Sequence, residues 1–142
     1  MRFKTFLMAA ALAVTCTMAR TAEVQINDAY LRVSNPMAAA AFLEITNLSD
    51  QDDRLIALRS EVAARVELHA HREDANGVMQ MIHLEEGIAL PAGATHALKR
   101  GGDHVMFMGL THTLEEGEAV PVTFVFEQAG EVTVEIPVDQ SR

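Results

Sequence analysis

Pro121-Val122-Thr123-Phe124-Val125-Phe126-Glu127, a break at Gln128-Ala129-Gly130, and then Glu131-Val132-Thr133-Val134-Glu135-Ile136-Pro137-Val138 form the stretch that decides the fold. Val122, Phe124 and Phe126 alternate with polar or smaller residues, and so do Val132, Val134 and Ile136. Side chains of a strand point alternately to its two faces, so this pattern predicts an antiparallel hairpin with one face buried.

Upstream, short β-rich runs alternate with turn residues, and little reads as a long helix. Strands are expected at Val24 to Val33, Ala39 to Thr46, Leu55 to Leu58, Val66 to His69, Val78 to Leu84, Ile88 to Leu90, Thr95 to Leu98 and His104 to Leu110. Ser34-Asn35-Pro36, Asn76-Gly77, Pro91 to Gly93 and Gly101-Gly102 punctuate them. Ser60 to Ala64 is expected to form a helical turn. Short strands in this number, with frequent turns, predict a two-sheet antiparallel β-sandwich in a single domain.

The totals exclude several function classes. The chain has 142 residues with a formal charge of -9, and Lys99-Arg100 is its longest basic run. Phosphate recognition needs a basic footprint, so nucleic acid is not an expected partner. No segment is long and apolar enough to read as a membrane span. No Gly-rich phosphate loop, nucleophile–base motif or His-Glu-x-x-His zinc motif is present, and no enzymatic activity is expected.

Residues 1–19 have the layout of a secretory signal peptide: Arg2 and Lys4, an apolar run from Phe6 to Val14, and a small-x-small end at Thr17-Met18-Ala19. Cleavage is expected after Ala19, leaving 20–142 as the mature domain in the periplasm. Ala13-Val14-Thr15 before Cys16 lacks the large aliphatic residue of a lipidation signal. Cleavage removes two basic residues and no acidic one, so the mature charge is 9 minus 20, or -11. It also removes Cys16, the only cysteine, and with it any disulfide or thiolate ligand.

The mature chain keeps five methionines, and four fall in two short stretches beside histidines: His69-Ala70-His71 leading to Met79-Gln80-Met81, and His104-Val105-Met106-Phe107-Met108. Thioethers with imidazoles are a donor set suited to Cu(I). Methionine is also an ordinary gap filler, so packing is the competing explanation. Strand parity places His104, Met106 and Met108 on one face, opposite Val105 and Phe107, and Met79, Met81 and His83 on another shared face. A hairpin turn centred near Asp74-Ala75 would set His69 across from Gln80, flanked by Met79 and Met81. His83, His96 and His112 read as ordinary surface histidines.

Val66-Glu67-Leu68-His69, Gly77-Val78-Met79-Gln80-Met81 and Gly101-Gly102-Asp103-His104-Val105-Met106-Phe107-Met108-Gly109-Leu110 together resemble the PCu(A)C family of periplasmic copper chaperones. Its signature is a histidine, about ten residues, a methionine, about twenty-one residues, then His-x-Met. Asp28 to Arg32, Ala41 to Asn47 and Asp53 to Ile56 resemble the family's opening segments, so the resemblance covers nearly all of the mature chain.

This resemblance implies a cupredoxin-like or immunoglobulin-like sandwich that carries Cu(I) through His69, Met81, His104 and Met106, with Met79, His71 and Met108 as alternates. Eleven residues separate His69 from Met81 and twenty-two separate Met81 from His104, so each interval is one longer than the signature. Met81 fits the second interval better than Met79, which shares its face and departs from the first interval by as much.

The implied acceptor is the CuA centre of cytochrome c oxidase subunit II, alone or with a Sco-type thiol copper protein, and the carrier is expected to be a monomer. The chain ends Pro137 to Arg142 with no His/Met-rich tail, so no second copper site is expected there. Blue-copper electron transfer needs a cysteine thiolate, which the mature chain lacks. The competing class is a secreted β-sandwich interaction module whose methionines form an apolar contact patch.

Overall fold

A computed structural model describes residues 23–142. The leader expected at 1–19 lies outside the described residues. Ten strands follow in order: β1 (Val24–Asn35), β2 (Ala38–Asn47), β3 (Asp53–Arg59), β4 (Ala63–Glu73), β5 (Met79–His83), β6 (Ile88–Leu90), β7 (Thr95–Leu98), β8 (His104–Leu110), β9 (Ala119–Phe126) and β10 (Gly130–Pro137). They form two antiparallel sheets. One is ordered β1-β2-β8-β4-β5, with β7 also paired to β2, and the other is β10-β9-β3-β6. The architecture is the expected all-β sandwich, and the ten strands among the described residues fall on the ten β-rich runs of the sequence.

The hairpin of β9 and β10 pairs Gly130 with Phe126 through to Pro137 with Ala119. Its alternation is the core pattern: Val122, Phe124, Phe126 and Ile136 are buried. They meet Leu31, Ile45, Leu55, Leu90, Leu98, Val105 and Phe107 between the sheets. Asp53 is a buried carboxylate whose Oδ1 and Oδ2 accept the backbone N–H groups of Gln128 and Ala129 at 2.8 and 3.0 Å. It thereby ties β3 to the turn of that hairpin. Gly87, with φ of +75°, sits where a Cβ would fall 1.9 Å from the Leu55 carbonyl oxygen, so the β5–β6 turn requires glycine there.

Two local expectations differ from what forms. Ser60 to Ala64 makes no helical turn: a tight turn at Glu61-Val62 leads directly into β4. The polar groups bond across to other strands instead, with Ser60 Oγ donating to the Pro121 carbonyl and Thr111 N–H to the Val62 carbonyl.

The β4–β5 register also differs. Residue numbers across this hairpin sum to 152, pairing His69 with His83, His71 with Met81 and Glu73 with Met79. His69 does not face Gln80; Arg72 does. The cause is Asp74, whose Oδ1 accepts the N–H groups of Asn76 and Val78 and so winds the loop past Gly77, which has φ of +76°. That Asx-type loop moves the turn toward the Asn76-Gly77 pair and shifts every cross-strand partner.

Candidate metal centre

The site lies on the outer face of the larger sheet, where β8 runs between β2 and β4 and β5 forms the edge. Val105 and Phe107 point into the core, so by strand alternation His104, Met106 and Met108 point out. Ala70 is buried, which turns His69 and His71 outward on β4. Cross-strand pairing sets Met81 opposite His71 on one side, and His104 opposite His69 on the other. Ala40 of β2 stands beside Met106, a small residue that leaves room for the thioether.

His71, Met81, His104 and Met106 line one open cleft of about 230 Å³, with Ser34, Ala40, Phe42, Arg100 and Gly101 at its walls. Met81 is 50% exposed, whereas His104 is 3% exposed beneath the rings of Phe42, His69 and His71. The donor set is therefore soft on its solvent side and nitrogen-rich at its floor. His69 borders this cleft rather than lining it, with its ring centroid 5.9 Å from that of His104. Met79 stands two cross-strand pairs nearer the turn than Met81, opposite Glu73, and Met108 is paired with Arg65 and Ala38.

Hydrogen bonds decide which ring nitrogen is free. His104 Nδ1 is 3.1 Å from the Gly102 carbonyl oxygen, which only accepts, so Nδ1 carries the proton and Nε2 keeps its lone pair. His69 Nε2 is 2.9 Å from Glu67 Oε2, a carboxylate that likewise only accepts, so Nε2 carries a proton and, in the neutral ring, Nδ1 is the bare nitrogen. That Nδ1, and the Nδ1 of His71, are buried without a hydrogen-bond partner among the described residues. Buried polar atoms are costly when unpaired, and metal coordination is one way to satisfy them. No three His, Cys, Asp or Glu side chains among the described residues form a ready metal-holding cluster.

The electrostatics keep these donors competent. Burial pushes the His104 imidazole below the ordinary histidine range, and its His71 and His69 neighbours push the same way against the pull of the Gly102 carbonyl. Hydrogen bonds from His69 and then Arg65 hold the Glu67 carboxyl below its usual range. Glu67 is thus an ionised acceptor that orients His69, the role of the carboxylate partners that support metal-bound histidines.

Sequence reading missed this carboxylate and the nearness of His83, whose Nδ1 is 3.7 Å from the same Oε2. Parity did carry part of the signal, since Glu67 and His69 share a face, as do Met81 and His83. It also left His96 as unremarkable, although His96 Nε2 meets Asp103 at 3.1 Å and braces the loop before His104.

The antiparallel sandwich is the architecture of PCuAC domains. The copper-bound PCuAC domain from PmoF2 matches with a TM-score of 0.68 at 26% identity, over 85% of this chain and 96% of that one. The solution structure of apo-DR1885 from Deinococcus radiodurans matches at 0.63 and 28% identity, over 100% of this chain and 97% of that one. The CuI form of the same protein matches at 0.61 and 27% identity, over 82% of this chain and 79% of that one.

Residues 24–138 match the family described as "Putative lipoprotein LpqE-like", and the chain belongs to that family. "Putative lipoprotein Lxx21020" from Leifsonia xyli subsp. xyli is 31% identical over 115 residues, which span 81% of this chain and 69% of that protein.

Proposed function

We propose that this chain is an exported copper carrier that holds Cu(I) through His69, Met81, His104 and Met106 and passes it to an acceptor protein. The observation that carries the reading is the convergence of β4, β5 and β8, which brings two thioethers and unclaimed imidazole nitrogens to one open cleft. Thioethers and imidazoles are neutral, soft-to-borderline donors, and neither is consumed where thiols oxidise. Such ligands hold Cu(I) yet yield it to a thiolate-bearing partner. Solved relatives that carry copper, PmoF2 and the CuI form of DR1885, support the same reading.

Half-exposed Met81 on the edge strand is the side from which an acceptor would take the ion. The acceptor on this reading is the CuA centre of cytochrome c oxidase subunit II, reached directly or through a Sco-type thiol protein, and the carrier acts as a monomer. Export rests on the leader at 1–19, which puts the working domain at 20–142 in the periplasm. The "putative lipoprotein" description of its relatives brings Cys16 back as an alternative attachment point. Intact mass of the exported chain separates the two: an N-terminus at Arg20 supports the cleaved form, and a lipid-bearing Cys16 overturns it.

Titration with Cu(I) against the chelator bicinchoninate tests the function. One equivalent bound tightly by the unaltered chain, and lost when His69, Met81, His104 and Met106 are all replaced by Ala, is the expected result. No binding overturns the carrier. Binding that survives the fourfold replacement overturns the ligand set. A contact module without metal is the second reading, favoured by the exposed apolar edge at Val78, Met79, Met81 and Ile82.

A further inference from the structure

β1 is an edge of the larger sheet, and a sheet edge presents unpaired N–H and C=O groups to any strand that approaches. Two features interrupt this one. A bulge breaks the β1–β2 register between Asn27 and Tyr30, where Asp28 has φ of +52°. Beyond the bulge, the segment that follows β10 lies against the edge. Val138 forms a parallel bridge with Leu31, and the Asp139 N–H donates to the Leu31 carbonyl at 2.9 Å. Gln140 then uses its side chain as a strand would use a peptide group. Its Oε1 accepts the Val33 N–H at 2.8 Å, and its Nε2 donates to the Val33 carbonyl at 3.3 Å.

Charge anchors the far end of this segment. Arg142 pairs with Asp28 at 2.7 Å, its guanidinium lies 4.3 Å from the centre of the Tyr30 ring, and its carbonyl accepts from Arg32. The Gln140 N–H also donates to Glu116 Oε2 at 2.8 Å. Val138 is buried, whereas Gln140, Ser141 and Arg142 are exposed. The segment is therefore held by backbone and ionic contacts open to water, the kind that release locally while the rest of a fold stays intact.

We propose that Val138–Arg142 is a guard segment, and that the β1 edge beneath it is a strand-addition surface for a second copy of this chain. The occupant follows from the edge itself, because two identical edges meet antiparallel about a two-fold axis. In a pair centred on Val33, each copy's Val33 N–H donates to the Val33 carbonyl of the other, restoring the two bonds that Gln140 makes. The guard wins in the unaltered chain because it is tethered. An attached segment acts at an effective concentration of about millimolar, which a free second copy does not reach in dilute solution. This inference is independent of the copper reading above.

Sedimentation velocity tests it, comparing the exported chain with its Gln140→Ala/Arg142→Ala variant over about a hundredfold range of concentration. Salt is added to screen the net negative charge that two copies share. The unaltered chain should stay monomeric, and the variant should double in mass as concentration rises. Val33→Pro in the variant removes the outward N–H, a change that an edge strand tolerates, and should return the monomer. A folded variant that stays monomeric overturns the proposal, and so does a dimer of the unaltered chain. A dimer that survives Val33→Pro overturns the assignment to β1. Amide hydrogen exchange of the unaltered chain decides the matter if the variants do not fold. The Val33 amide should exchange about tenfold or more slowly than an open amide, and exchange at the open rate overturns the guard.

Discussion

Glu67→Gln is the substitution that most directly tests how the site is held. Glu67 Oε2 accepts a hydrogen bond from His69 Nε2 at 2.9 Å, and Oε1 accepts one from Arg65. The carboxylate therefore fixes both the orientation and the tautomer of His69, leaving the buried Nδ1 as the donor. Gln has the same length but no charge, and its amide can present N–H as readily as C=O. The bond becomes a neutral one, roughly half as strong, and the tautomer is no longer enforced. Loss of such a partner typically costs 10–100-fold in metal affinity. Because the Glu67 side chain is 15% exposed and keeps company with solvated Arg65, the lower end is expected. That is about a tenfold weaker Cu(I) affinity, or about 1.4 kcal/mol. Bicinchoninate competition at pH 7 measures it, with the melting temperature as the control for folding. If His69→Ala weakens binding and Glu67→Gln leaves it unchanged, the carboxylate does not position the ring. If neither changes it, His69 is not a ligand and the reasoning fails at its root.

Three further outcomes follow from the same structure. His104 binds protons less readily folded than unfolded, so the stability linked to it is complete above the unfolded histidine pKa of about 6.5 and is lost as pH falls from there through its lower folded value. The melting temperature should drop between pH 7.5 and pH 5.5, and His104→Gln should flatten that slope; an unchanged slope contradicts the buried neutral imidazole. Asp53→Ala strips acceptors from the N–H groups of Gln128 and Ala129 at the hairpin turn and should cost about 2–3 kcal/mol in urea unfolding. A cost under about 1 kcal/mol would show that water replaces the carboxylate freely. Gly87→Ala combines a left-handed backbone with a Cβ 1.9 Å from the Leu55 carbonyl oxygen and should destabilise by more than about 2 kcal/mol. A near-neutral result there would mean that the β5–β6 turn relaxes without effect on β3.

Most of the strand plan was readable because it depends on neighbours in sequence. The runs at Ile88–Leu90, Thr95–Leu98 and His104–Leu110 begin and end as their turn residues imply. The family resemblance, resting on motif order and spacing, needed no geometry either. The Ser60–Ala64 helical turn failed because Ser60 and Val62 found partners on other strands, which no local pattern announces.

For the site, the alternation of a strand has period two, so the chain by itself determined which residues share a face: His104 with Met106, Met79 with Met81 and His83, and His69 with His71. What stands opposite what was left to tertiary structure. The Asp74 loop shifted the β4–β5 register, exchanging Gln80 for His83 opposite His69 and bringing His71 to Met81. Insertion of β8 between β2 and β4, far apart in sequence, brought His104 and Met106 to both. A face is a property of one strand's backbone geometry, but a site needs the register between strands. That register is set by loop hydrogen bonds and long-range pairing, which only the folded chain supplies.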